Sequence, residues 1–240
     1  EGAYTKSPHE GPPVYVSPPS SDYQKDGMVL KLHRSLYGLR SSGKSWYLTL
    51  TKYLCSQALT ASKADPCLFY NKDKSLIVVI YVDDLLVSST TPEIGNDFLQ
   101  RMNSMHTGNS RWSVRNLGVP KHFLGLEIRW NRFGVKLTHT AMIERLIERW
   151  HISKTAVRSP LPNGTTLEPD DHADTKPDAT QYRSICGTIN YIAGSARPDV
   201  AFAAKELCRN LSNPSHAHMR AAKRTAQYLY TTRYDGVTYD

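Results

Sequence analysis

The chain has 240 residues, 40% of them hydrophobic and 22% charged, which is enough for one large domain or a few small ones with a real core. Its longest apolar run is broken by carboxylates and too short to span a bilayer, and the N-terminus EGAYTKSPHEGPP has no basic region followed by an apolar one, so no signal peptide is expected in this stretch. Thirty Lys and Arg against 22 Asp and Glu leave a net charge of +8, which favours a polyanionic partner.

The four cysteines form no C-x-x-C pair, so buried thiols in a reduced intracellular compartment are expected. His216 and His218 are the close histidine pair, but an i, i+2 spacing on a helix points two ways and makes a poor metal site. Positive charge is clustered. Lys31, Arg34, Arg40, Lys44 and Lys52 fall in one acid-free stretch, and Arg209, Arg220, Lys223, Arg224 and Arg233 in another. Two solvated helix faces would look the same on charge alone.

Residues 1–30 are rich in Pro, Ser and Gly and lack an initiating Met, as in a piece of a longer chain; Val14–Ser17 and Met28–His33 are short strand candidates. Ser42 or Ser45 is placed to cap a helix running to about Gln57, with Trp46, Leu50, Tyr53 and Leu54 on one face. Leu68–Tyr70 precedes a charged turn. The β-branched run then predicts buried strands at Leu76–Val82 and Leu85–Ser88, with Asp83 and Asp84 at the turn between them. Pro92–Met105 fits a helix. Phe123–Trp130 and Val135–His139 make a second hairpin around Asn131–Gly134, and Met142, Leu146, Ile147 and Trp150 keep helical spacing. The polar, Pro- and Asp-rich residues 153–180 are the best candidate for a domain boundary. Beyond them the chain reads helical over Tyr182–Ala193, from Pro198, and over about His216–Tyr230.

Burying an unpaired carboxylate costs several kcal/mol, so two adjacent ones inside the run SLIVVIYVDDLLV need an explanation. A plain Asp-containing turn is the bland alternative. A divalent-metal site is the functional one, because hard oxygen ligands on a rigid hairpin suit Mg²⁺. Adjacent residues tend to point apart, so a two-metal site needs a further carboxylate. Asp65, before Pro66, reads as a turn residue, and nothing in the context of Glu127 requires it to be the third ligand.

Several blocks resemble the reverse transcriptase of copia-type LTR retrotransposons. KLHRSLYGLRSSGKSWY (31–47) is similar to the family's K-L-x-K-S-L-Y-G-L-K-Q-A-P-R-x-W-Y, SKADPCLFY followed by VVIYVDDLLV to its S-x-x-D-x-C-L-F and Y-V-D-D segments, and LGVPKHFLGLEI (117–128) to L-G-x-x-x-x-F-L-G-I-E-I. YRSICGTINYIAGSARPDVAFA (182–203) resembles Y-R-x-x-x-G-x-L-x-Y-L-x-x-x-R-P-D-I-x-F-A, and NPSHAHMRAAKRTAQYL (213–229) the helix after it. The blocks occur in the family's order and cover nearly the whole chain.

The resemblance implies an α+β right-hand polymerase, with an antiparallel palm sheet and a thumb followed by a helical connection region. Fingers and palm would occupy 1–137, the start of the thumb 138–152, a linker 153–180 and the connection region 181–240. It makes Asp83 and Asp84 catalytic Mg²⁺ ligands, Asp83 the firmer. Tyr4, Gly38 and Arg40 would serve the incoming nucleotide, with Tyr4 excluding a ribose 2′-hydroxyl, and Tyr81, Val82, Phe123, Leu124 and Gly125 the primer. The opening EGAYT resembles the end of the family's D-V-x-x-A-[FY] motif, so the partner Asp of a two-metal site is expected upstream of Glu1. Ser41-Ser42-Gly43 departs from the family's Gln-Ala-Pro and loosens the backbone there.

The implied partners are an RNA template, a DNA or RNA primer, deoxynucleotides and the integrase and ribonuclease H of a Pol polyprotein, with no membrane. The implied place is the cytoplasm, with a virus-like particle and later the nucleus as further stations. A catalytically inactive nucleic-acid-binding remnant is the alternative, and a metal-dependent nuclease or phosphatase would need an acidic or His cluster that the sequence does not offer.

Overall fold

A computed structural model describes residues 2–9, 11–18, 28–107, 110–132, 134–168 and 175–240. The chain divides into two compact units, Glu1–Asn116 and Leu117–Asp240. Among the described residues no helix is long and apolar enough to cross a membrane.

The first unit begins with a short helix, α1 (Ala3–Lys6), and a two-stranded ladder of β1 (Tyr15–Val16) and β2 (Leu30–Lys31). Both strands are shorter than predicted. Helix α2 (Ser42–Ser56) buries Trp46, Leu50, Tyr53 and Leu54, as the spacing predicts. Neither candidate serine caps it through its side chain. Ser41 holds the N-cap position, and Ser42 Oγ instead donates to Leu36 O at 2.6 Å, tying the helix start to the preceding loop.

Strands β3 (Thr60–Ala61), β4 (Leu68–Tyr70), β5 (Leu76–Tyr81) and β6 (Asp84–Ser89) form an antiparallel sheet in chain order. Burial alternates along β5: Leu76, Val78 and Ile80 join the core, while Tyr81 is exposed. Helix α3 (Pro92–Asn103) starts on Pro92, whose missing N–H costs nothing there, and buries Phe98 and Met102 in the same core as Trp46, Leu50 and Phe69. A small ladder of β7 (His106–Thr107) and β8 (Ser110–Arg111) follows.

In the second unit, the predicted single strand 123–130 is two: β9 (His122–Phe123) and β10 (Leu126–Asn131), joined by a turn at Leu124–Gly125. Leu124 has φ 51° and Gly125 φ 79°, the pattern of a type I′ hairpin, whose first position is unfavourable for Leu and so gives no local sequence signal. Next come β11 (Gly134–Thr138) and helix α4 (Thr140–Arg149).

The segment expected as a boundary is not one. Leu161 and Leu167 are buried in the core that α4 shares with α5 (Ala179–Ser195), α6 (Ala201–Cys208) and α7 (His216–Thr231). Thr225 Oγ1 on α7 also donates to Pro160 O at 3.2 Å. Two buried leucines hold the described part of this polar segment against the helices, so it packs with the second unit and does not separate two units; residues 169–174 lie outside the described residues. A single turn of 3₁₀ helix, Pro198–Val200, leads into α6.

Helix α7 opens with a capping box in which His218 stands where Glu or Gln is usual. Ser215 N–H donates to His218 Nδ1 at 3.0 Å, and Ser215 Oγ accepts from His218 N–H.

A last strand, β12 (Val237–Tyr239), was not expected from the sequence; it returns to pair with β11, completing a sheet of order β12-β11-β10-β9. The approach is close: a Cβ on Gly236 would lie 1.9 Å from Leu137 O. Gly236→Ala is therefore expected to displace β12, costing about 1–3 kcal/mol as an overpacking change. Faster amide exchange in Val237–Tyr239 would show it; unchanged protection would remove the steric argument.

Candidate active site

The β5–β6 hairpin answers why two carboxylates interrupt an apolar run. Tyr81 pairs with Asp84, so the turn proper is Val82–Asp83 and only the first Asp lies in it; Asp84 is already in the strand. Tyr81, Val82, Asp83 and Asp84 are all exposed. The buried strand delivers the carboxylates to its tip, where they keep their water.

Val82 has φ 53° while Asp83 does not share a positive φ, the pattern of a type II′ turn, whose first position normally falls to Gly. A β-branched residue there costs roughly 1–3 kcal/mol. Trp46, buried on α2, offsets this by donating its indole N–H to Val82 O at 2.6 Å. Tyr37 fixes the next residue: its hydroxyl donates to Asp83 Oδ2 at 3.1 Å. Burial, then this bond and the negative charge of Asp83, push the Tyr37 hydroxyl above its ordinary pKa, so it stays protonated as a donor. The Tyr4 ring lies 4.5 Å from that of Tyr37 at 43°. The fold thus joins Tyr4, Tyr37 and Asp83 in a chain of contacts at one end of the sheet.

Gly38 follows with φ 98°, and Arg40 is exposed. Tyr37 and Trp46 were missed as site residues, although both lie within the 31–47 block. Their spacing signals only a loop and a helix face, and neither reveals which turn it holds.

Hard oxygen donors and exposure fit Mg²⁺, which takes one or two carboxylates and completes its shell with water and phosphate. Among the described residues, no group of three or more His, Cys, Asp or Glu side chains could hold a metal ion. Asp65 accepts from Cys67 N–H at 2.8 Å, the turn role expected of it. Glu127 belongs to the second unit, where its Oε1 accepts from Ala141 N–H at 2.6 Å near the start of α4. It is engaged there as a helix-start acceptor.

Phe123, Leu124 and Gly125 also lie in the second unit, at the β9–β10 turn. Tyr191 on α5 donates its hydroxyl to Leu124 O at 2.5 Å, and His139 Nδ1 lies 3.1 Å from Gly125 O. A carbonyl only accepts, so Nδ1 carries a proton, and Nε2 lies 2.6 Å from Ser195 Oγ, whose single hydrogen faces both that nitrogen and Tyr191 O. Burial lowers the His139 pKa, and the Gly125 carbonyl and the Glu127 charge offset this only in part.

Burial likewise lowers the pKa of His218. Both histidines take up protons near pH 6.5 when unfolded and only at lower pH when folded. The unfolded chain therefore binds more protons in that interval. Stability is complete above about pH 6.5 and is lost as pH falls through the folded values. The urea midpoint of the second unit should fall between roughly pH 7 and pH 5. His139→Gln with His218→Gln should flatten that dependence, and an equally steep dependence in the double variant would sink the assignment.

The sequence matches the family described as reverse transcriptase (RNA-dependent DNA polymerase) over residues 2–161. It is 32% identical over 230 residues to a retrovirus-related Pol polyprotein from transposon RE1 of Arabidopsis thaliana, covering 93% of this chain and 15% of that protein. It is 29% identical to one from transposon TNT 1-94 of Nicotiana tabacum, covering 88% and 16%. It is 23% identical to a transposon Ty1-DR1 Gag-Pol polyprotein of Saccharomyces cerevisiae, covering 92% and 13%. The chain thus spans about a seventh of these relatives' length. No solved structure matches it. Its antiparallel sheets and helices agree with a mixed α and β reverse transcriptase domain, and the chain belongs to the reverse transcriptase family found in the Pol polyproteins of copia-type retrotransposons.

Proposed function

We propose that the chain is part of an RNA-directed DNA polymerase that extends a primer 3′-hydroxyl with deoxynucleotides on an RNA template. The supporting observation is the exposed Asp83–Asp84 pair at the tip of the β5–β6 hairpin, held there by Trp46 and Tyr37. Asp83 and Asp84 hold Mg²⁺ in this reading. When bound, Mg²⁺ stabilises the attacking and leaving oxygens of an in-line displacement at the α-phosphate. An Asp ahead of Glu1, expected from the family resemblance, completes the donor set.

The chain's own residues then orient the reactants. Tyr37 aims the Asp83 carboxylate, and Tyr4, packed at a tilt against Tyr37, tests the sugar of the incoming nucleotide. Gly38 lets the backbone turn toward the nucleotide, and the exposed Arg40 guanidinium serves its phosphates. Tyr81 and Val82 lie under the primer end, and Phe123, Leu124 and Gly125 hold the primer. The first unit is the palm side. In the second, α4 to α7 share one core and act together as thumb and connection. Primer and template would be held largely through their phosphates by the basic segments. The rest of a Pol polyprotein, with integrase and ribonuclease H, is the expected covalent context, and the cytoplasm the expected site of action.

Primer extension on an RNA template tests this, comparing the 240-residue chain with a form extended upstream to include the expected Asp. Mg²⁺-dependent extension by the longer form supports the polymerase. If both forms bind primer–template and neither extends it, the nucleic-acid-binding remnant is the better description, a reading favoured by the lack of a three-ligand cluster among the described residues.

A further inference from the structure

The Leu124–Gly125 turn is held from behind at both of its carbonyls, an arrangement that strand pairing alone does not require. Tyr191 Oη reaches Leu124 O, and His139 Nδ1 reaches Gly125 O. The holders are themselves joined: Ser195 Oγ lies 2.6 Å from His139 Nε2 and 2.6 Å from Tyr191 O, and the His139 and Tyr191 rings are 5.4 Å apart. His139 is fully buried, while Tyr191 is 46% exposed, so the tyrosine is not a core residue whose hydroxyl merely needed a partner.

These contacts decide which face of the turn is free, through peptide planarity and through packing. The bond between Leu124 and Gly125 is trans, so fixing Leu124 O against Tyr191 turns Gly125 N–H the opposite way. Among the described residues that N–H meets no acceptor, and Gly125 is exposed. The second effect is steric. A Cβ on Gly125 would stand 3.4 Å from Met142 Cε and 3.7 Å from Tyr191 Oη, so the back of the turn is already packed and its free face is the other one.

We infer that Tyr191, His139 and Ser195 are positioning residues, a clamp from α5 and the β11–α4 junction that fixes which face of the Leu124–Gly125 turn meets the primer. This rests on the reading of that turn as a primer contact. The clamp touches neither primer nor nucleotide; it acts through the backbone orientation of the turn. Losing it lets the turn relax from two consecutive positive-φ residues, the first of them a leucine.

The test uses Tyr191→Phe, which removes one hydroxyl from a half-exposed side chain, with Ser195→Ala as a second variant. A labelled primer–template duplex is the probe, with affinity read by anisotropy and the Gly125 amide followed by NMR in glycine-labelled chain. In the parent chain, duplex is expected to shift the Gly125 amide. In Tyr191→Phe the affinity should fall about tenfold and the shift should shrink, with the melting temperature within a few degrees of the parent. For the upstream-extended form, KM for primer–template should rise while kcat at saturation holds. Parent-like affinity and an unchanged Gly125 shift in both variants would overturn the clamp while leaving the polymerase reading intact. A parent chain that binds no duplex would overturn both.

Discussion

Asp83→Asn is expected to lower Mg²⁺-dependent extension by on the order of 10³-fold, roughly 4 kcal/mol of transition-state stabilisation, while changing primer–template affinity less than about threefold. The substitution keeps shape and removes charge. The Asn side-chain oxygen can still accept from Tyr37, and Trp46 still holds Val82 O, so the hairpin keeps its geometry. What is lost is an anionic oxygen at an exposed tip, and an amide is a far weaker ligand for a hard cation. Asp84→Asn should be less severe, because Asp84 sits in the strand beside Tyr81 and takes the second place in the site. Tyr37→Phe frees the Asp83 carboxylate without removing it, and a loss of about 10-fold is expected of such a supporting contact. Single-turnover extension by the upstream-extended form, at several Mg²⁺ concentrations, ranks the three. Wild-type rates in Asp83→Asn would leave the hairpin with no catalytic role.

The largest effect on stability belongs to a residue of no catalytic interest. Arg197 is 2% exposed and is the largest fully buried side chain among the described residues. Its Nε and Nη2 form a two-pronged bond to Asp199 at 2.9 and 2.7 Å, and its remaining donors reach Thr232 O and Oγ1 at 2.9 and 2.6 Å. The Tyr228 ring lies 5.5 Å from the guanidinium, and its hydroxyl donates to Asp199 Oδ2. Burial works against the charge on Arg197, but the Asp199 carboxylate overcomes it and holds the guanidinium pKa above its ordinary value. Arg197→Ala should destabilise the second unit by about 2–3 kcal/mol, since it removes the buried guanidinium that joins Asp199 to Thr232 and strands the end of α7, while the exposed Asp199 carboxylate keeps its water. Arg197→Lys should recover little, because an ammonium cannot make the fork that joins Asp199 to Thr232. Urea unfolding followed by amide exchange in α5 and α7 measures this; a midpoint close to wild type in Arg197→Ala would refute it.

The sequence made the Asp-bearing hairpin legible because β-branched residues and a short apolar run leave few alternatives to a buried strand. It misplaced the turn by one residue because Val82 lies in a backbone region that Val avoids, and the cause is a tertiary bond from Trp46. The Leu124–Gly125 turn was hidden for the same reason: a leucine at positive φ looks like strand until Tyr191 is seen to hold it. The boundary error at 153–180 came from trusting composition, since two buried leucines outweigh the Pro and Asp around them. Helices α5 and α7 were read well because their apolar spacing is long and regular, whereas α6 is short and only its approach from Pro198 was legible. The strand β12 has three residues and no alternation to display, so only its pairing reveals it.

That last pairing has a bearing on how the protein is made. Val135 meets Tyr239 and Leu137 meets Val237, so the edge of the sheet carrying the Leu124–Gly125 turn is contributed from far along the chain. During synthesis, β9 to β11 and all of α4 to α7 emerge before the strand that closes their sheet. Contacts of such long sequence separation slow folding, and until they form the β11 edge can pair with another nascent chain. Until Val237–Tyr239 pair, β11 stands as an open sheet edge, and limited proteolysis of a form lacking those residues would find its target there.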